Sequence, residues 1–244
     1  NNTALGYLAL QDFVADTDAH GNNTAVGASS MSNATTGTEN TAVGSFSMAD
    51  GAITGDFNAA FGNNAGKSLT SGQYNTLLGG NAGIAITTGS SNVIVGLNAG
   101  DALVEGSNNV AVGQSALSSE NAHGNNTAIG HQTLATLDAG ANGNNVAVGF
   151  VAGTAMTSGI QNTIIGSLAG DALTTGSNNV ALGYNALSTE DAHGRNVAIG
   201  YAALNTLNAG TDAYNVAIGF SAGTNVSTGV DNTIIGGLAG DALT

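Results

Sequence analysis

The residues able to do chemistry in this chain are a few histidines, carboxylates and aromatics, and each sits in a recurring context. His20, His123 and His193 close Asp-Ala-His-Gly or Asn-Ala-His-Gly stretches, each three residues before an Asn. As metal ligands they would have to converge on one ion. Glu120 with Asp101, or Glu190 with Asp171, could form a carboxylate pair for glycoside hydrolysis. A retaining enzyme wants the two carboxyls about 5 Å apart and an inverting one about 6.5 to 9.5 Å. Asp16 and Asp18 form an Asp-x-Asp loop whose oxygens could hold Ca2+, with Asp101, Asp171 and Asp241 recurring elsewhere. No EF-hand loop and no Gly-Gly-x-Gly-x-Asp repeat accompanies them. No resident cofactor is therefore expected, and calcium at Asp16 and Asp18 is the one ion to look for. Tyr7, Phe150, Tyr184, Tyr201 and Phe220 each follow a Gly of one motif. An exposed aromatic column of Tyr184, Tyr201 and Phe220 could contact the sugar rings of a glycan. Packing at a corner, or between chains, is the simpler alternative.

What positions these residues is a repeat. Asn-[Thr/Val/Ala]-x-[apolar]-Gly occurs fourteen times, with its Asn at position 2 and then at Asn23, Asn40, Asn58, Asn75, Asn92, Asn109, Asn126, Asn145, Asn162, Asn179, Asn196, Asn215 and Asn232. The basic interval is 17 residues, lengthened slightly in four coils. Gly100-Asp101-Ala102-Leu103 returns as Gly170-Asp171-Ala172-Leu173 and as Gly240-Asp241-Ala242-Leu243, so blocks of four coils repeat every 70 residues. Self-similarity at such a period signals a solenoid. Frequent Gly and a short repeat reject paired helices, whereas two short strands and two turns fit 17 residues. The motif alternates with period two, branched residues on one face and mostly Ala on the other. A second, shorter strand is expected after the motif Gly, then a polar loop back to the next Asn.

The expected fold is all-β: a parallel β-solenoid of about 14 coils with a 17-residue repeat, running as a single array over 1–244. Stacked at about 4.8 Å per coil, it would form a rod roughly 65 Å long. The Asn side chains would form a structural ladder along one corner, with the Gly at the next, where close backbone approach excludes a Cβ. Four coils would set His123 and His193 about 19 Å apart, too far to share an ion. The candidate carboxylate pairs occupy equivalent places in a repeated block with no large insertion nearby. Polysaccharide cleavage accordingly ranks well below a structural role, and no enzyme is expected. Thr24, Thr41, Thr76 and Thr127 alternate with Val and Ala at their motif position, which breaks the flat Thr ladder that ice binding would need.

Composition narrows the partners. Two basic residues against 16 acidic ones give a net charge of −14, which disfavours nucleic acid and anionic membrane surfaces. No apolar run approaches the roughly 20 residues that a membrane-spanning helix requires. The chain lacks Pro, as a continuous backbone ladder would require. A coil this slender buries little apolar surface alone. Association with further copies, most simply three-fold and through the small Ala/Ile face, is expected to supply the rest. The chain opens inside a motif and is read as a fragment of a longer fibre.

Asn-Val-Ala-Ile-Gly (196–200, 215–219), Asn-Thr-Ala-Val-Gly (23–27, 40–44) and Asn-Val-Ala-Val-Gly (109–113, 145–149) resemble the head repeats of trimeric autotransporter adhesins. That resemblance implies a left-handed parallel β-roll and a homotrimer on a bacterial surface. The family's coils run near fourteen residues, shorter than here, and similar longer repeats resemble the shafts of phage tail fibres. The expected function is a structural and adhesive fibre shaft, a phage tail-fibre segment ahead of an adhesin head. It would be extracellular and directed at a host or cell-surface receptor such as a glycan. The inserted stretches 8–22, 131–144 and 201–214 are the expected contact surfaces.

Overall fold

The computed structural model describes residues 1–13 and 21–243. The candidate calcium ligands Asp16 and Asp18, and His20 beside them, lie outside the described residues. The chain divides into two compact units, 1–124 and 125–244. Unit 1 holds β1 (Thr3–Leu5), β2 (Thr24–Val26), β3 (Thr41–Val43), β4 (Ala59–Phe61), β5 (Thr76–Leu78), β6 (Val93–Val95) and β7 (Val110–Val112). Unit 2 holds β8 (Thr127–Ile129), β9 (Val146–Val148), β10 (Thr163–Ile165), β11 (Val180–Leu182), β12 (Val197–Ile199), β13 (Val216–Ile218) and β14 (Thr233–Ile235). Within each unit every strand pairs in parallel with the next, motif residue on motif residue, as in Thr24↔Thr41 and Val197↔Val216. The described residues include no helix. Each unit is thus a parallel β-solenoid with a 17-residue period.

The three-residue strands follow from the alternation, but the two faces are the reverse of the expectation. The middle residue, usually Ala, is the one that points inward: Ala25, Ala42, Ala111, Ala147 and Ala198 are fully buried. The branched third residue points out, with Leu5 at 68% and Ile235 at 67% exposure as the extremes. The small face is therefore core and not a surface for other chains. The reason lies in what else enters the coil. The eighth residue after the motif Asn is a buried Met or Leu in some coils (Met31, Met48, Leu117, Leu134, Leu187, Leu204) and Gly in others. Ala faces the large residue. Where the eighth residue is Gly, a larger strand residue fills the gap: the space a Cβ would take at Gly66 holds a Leu77 methyl at 2.5 Å, and at Gly100 an Ile94 methyl at 3.2 Å. This is size complementarity at close-packed density.

The expected second strand is replaced by a turn. After the motif Gly, the sixth and eighth residues from the Asn both take positive φ in every coil, as in Ser29 (55°) and Met31 (50°) or Asn185 (58°) and Leu187 (53°). Coils remain bonded through the turn: Ser29 donates its N–H to the Tyr7 carbonyl at 2.8 Å, and Met31 to that of Ser47 at 3.0 Å. A Leu or Met in this conformation costs roughly 1–2 kcal/mol, offset at Met31, Met48, Leu117, Leu134, Leu187 and Leu204 by complete burial of the side chain. The motif Gly itself holds φ between 125° and 145°, and a Cβ at Gly27 would stand 2.5 Å from the Gly44 carbonyl oxygen. No other residue fits there. The residue before the motif Asn also has positive φ from Asn22 to Asp231, and all thirteen such residues are exposed.

Candidate functional site

The Asn corner is built as anticipated, with the backbone as chief partner. Asn23 through Asn215 are buried at 0–1% exposure, while Asn232 is half-buried. In unit 1 the Oδ1 of Asn23 accepts the backbone N–H of Asn40 at 2.9 Å, and that of Asn58 accepts from Asn75 at 3.0 Å. The Nδ2 of Asn75 donates to the Gly89 carbonyl at 2.9 Å and to the Asn58 Oδ1 at 3.0 Å. Unit 2 repeats the Oδ1 bond from Asn126 to Asn232, as where Asn162 Oδ1 accepts the Asn179 N–H at 2.9 Å. One amide per coil thereby satisfies donors and acceptors that a narrow corner would otherwise bury unmatched.

The aromatic column stands as its spacing implied. Tyr184 and Tyr201 stack with centroids 5.4 Å apart, and Tyr201 and Phe220 at 5.0 Å, all three half exposed. Their faces cover one another, so a sugar ring would meet ring edges along the column and ring faces only at its two ends. Sequence reading missed two further stacks. His131 takes the same post-Gly position and stacks on Phe150 at 5.4 Å in unit 2. In unit 1, Phe57 and Tyr74 stack at 5.4 Å from the position before the motif Asn. At that position Arg195 lies over the Tyr214 ring, 5.3 Å from its centroid, and pairs with Asp212 at 2.8 Å. For Phe57 and Tyr74 the signal was an aromatic recurring one coil on, in a register different from the post-Gly one, and for His131 it was a histidine in the post-Gly place.

The acidic candidates differ in burial. Glu120 and Glu190 are wholly buried. Each accepts the backbone N–H three residues on, His123 at 3.1 Å and His193 at 3.2 Å, and each neighbours that histidine's Nδ1, at 3.5 and 3.4 Å. Each thus has a histidine of its own turn as a close neighbour. Asp101 and Asp171 remain half-buried, each with one oxygen enclosed and without a hydrogen-bond partner. Burial pushes both carboxyls above their ordinary value of 3.8, against the pull of the backbone N–H groups of each Asp and the following Ala.

Stacked motifs, parallel in-register strands and a buried Asn corner define each unit as a β-solenoid repeat structure. No protein-family profile, curated protein or solved structure matches the chain.

Proposed function

We propose that the chain is part of the shaft of an extracellular, homotrimeric fibre that carries structural load and attaches to a host or cell surface, as a phage tail-fibre segment does. The observation that carries this reading is the outward face of the strands. In unit 1 it exposes Leu5, Phe61, Leu78 and Val93, and in unit 2 Ile129, Val146, Leu182 and Ile218. A face of Val, Ile, Leu and Phe repeated coil after coil is more apolar than an isolated solenoid leaves in water, and a copy of the same chain presents the matching period. The 17-residue coil and the 70-residue block repeat favour a tail fibre over the adhesin head, whose motif the chain shares. The stacked Tyr184, Tyr201 and Phe220, together with the inserted stretches around Gly140 and Gly210, offer contact points for a surface glycan that would act multivalently.

Light scattering after size exclusion tests the reading. The expected mass is three times 23.6 kDa, and Leu78→Glu combined with Leu182→Glu should return it to a single chain. A wild-type monomer at every accessible concentration would remove the trimer and leave the apolar face to some other partner.

A further inference from the structure

The eleventh residue after the motif Asn fills the coil interior with a buried apolar side chain: Leu69, Ile86 and Leu103 in unit 1, Met156, Leu173 and Leu207 in unit 2. Glu190 occupies the same place in its coil and is just as completely buried. A carboxylate in a hydrophobic slot needs a counter-charge or it is strongly disfavoured. Neither basic residue of the chain supplies one, because Lys67 pairs with Asp50 and Arg195 with Asp212. Glu190 has instead the backbone N–H groups of His193 (3.2 Å) and Ala209 (3.4 Å), with the His193 imidazole beside it.

We propose that Glu190, Asp191 and His193 bind one divalent transition-metal ion of the zinc class. One ligand atom from each lies within 4.8 Å of the others. The Nδ1 of His193 stands 3.4 Å from the Glu190 Oε1 and is enclosed without a hydrogen-bond partner. That separation exceeds the roughly 2.7–3.2 Å of an N–H···O hydrogen bond. It matches the edge of a tetrahedron whose metal–ligand bonds are about 2.0–2.1 Å, which is about 3.3 Å. An ion placed between them would use the orphaned nitrogen lone pair and neutralise the buried carboxylate together. Asp191 is exposed, so it supplies the third ligand from the solvent side, where the ion enters and a water completes the shell. One imidazole and two carboxylates suit zinc, cobalt or nickel, whereas calcium would want six to eight oxygens.

Unit 1 supplies a natural comparison. Glu120 and His123 keep the same relation there, but Asn121 stands where unit 2 has Asp191. The backbone takes the same role in both: Val104 donates its N–H to the Asn121 carbonyl at 2.8 Å, and Thr174 to that of Asp191. The fold therefore accepts Asn at this place, and Asp191→Asn tests the ligand without disturbing the turn.

The experiment is a titration of the chelator-stripped chain with Co2+, read by the visible absorption of tetrahedral cobalt, with Zn2+ calorimetry alongside. Asp191→Asn, His193→Gln and Glu190→Leu should each bind one ion fewer per chain than the wild type, with unchanged far-UV circular dichroism. Glu190→Leu restores the apolar slot, so its loss of binding would not come from unfolding. Equal ion counts in the wild type, Asp191→Asn and Glu190→Leu would overturn the proposal and leave a Glu–His turn with no ligand.

Discussion

Unit 2 contains coils of two lengths, and they treat the same corner differently. Across the 17-residue steps from Asn145 to Asn162 to Asn179, each Oδ1 accepts the next backbone N–H at 3.0 and 2.9 Å, and Asn145 and Asn162 donate to the Gly159 and Gly176 carbonyls at 2.9 Å. Across the 19-residue steps, from Asn126 to Asn145 and from Asn196 to Asn215, the first bond lengthens to 3.2 Å. Asn196 turns its Nδ2 back to the carbonyl of Gly194, two residues earlier. The extra residues bulge outward: a Cβ at Gly210 would meet nothing within 4 Å, whereas one at Gly159 would stand 2.4 Å from the Gly176 carbonyl oxygen. The strands do not notice, since Val197 still pairs with Val216 in register. Length variation is thus absorbed by one loop, and the core and strand pairing stay fixed.

The largest effect should separate the two glycine environments. Gly183→Ala sets a Cβ 2.3 Å from the Gly200 carbonyl oxygen at φ 140°, and should cost roughly 3–5 kcal/mol or prevent folding. Gly210→Ala meets open space at φ 69°, and should cost only about 1 kcal/mol, the strain of the left-handed backbone alone. Urea denaturation of both variants would break the comparison if the two losses were alike.

Next in size is the Asn corner. Asn162→Ala strips the Asn179 N–H and the Gly176 carbonyl of their partner in a dry site, and a loss of about 2–4 kcal/mol is expected at about 1–2 kcal/mol per orphaned group. Asn196→Ala, whose bonds are longer and partly local, should lose about half as much by the same measure. Equal thermal midpoints for the two variants would show that the inserted coil holds its corner as tightly as the regular ones.

A third substitution should act in the opposite direction. Glu190→Leu gives the coil before the insertion the interior of its neighbours, and metal-free protein should be unchanged or more stable by up to about 2 kcal/mol. Destabilisation in the presence of a chelator would mean that the Glu190 bonds to His193 and Ala209 hold the turn.

The smallest effect depends on pH. The folded carboxyl of Asp171 is raised above the unfolded value of 3.8 by burial. Its ionisation therefore opposes folding: the group's contribution is most favourable below the unfolded value and is lost as pH rises through the folded one. Asp171→Asn should then gain a few tenths of a kcal/mol at pH 7, discounted for solvent screening, and nothing below about pH 3.5. A gain at both pH values would point to packing instead of charge.

Much of this was legible in the residues. The spacing of the Asn gave the period, alternation placed each strand, and the recurring Gly marked the corner where backbones meet. Alternation defines two faces but does not say which is inside, so the small face carrying Ala25 and Ala147 is expected outside and lies in the core. That choice depends on Met31 and Leu117 entering the coil from the turn, through a left-handed conformation that neither residue type advertises. The stack of Tyr184, Tyr201 and Phe220 follows from register alone. The meaning of Glu190 does not, because it emerges only when its coil is laid over those of Leu103 and Leu173 and a charge is found where they keep hydrocarbon.

The residue before each motif Asn turns the chain by its backbone, whatever side chain it carries. Asn, Glu, Phe, Tyr, Ser, Gln, Arg and Asp all serve there, and Val, Ile and Thr never do. Each coil accordingly presents one outward letter that the interior does not read. A lineage can rewrite that line of text, one character per coil, and change what the surface says to its surroundings while the scaffold beneath stays the same.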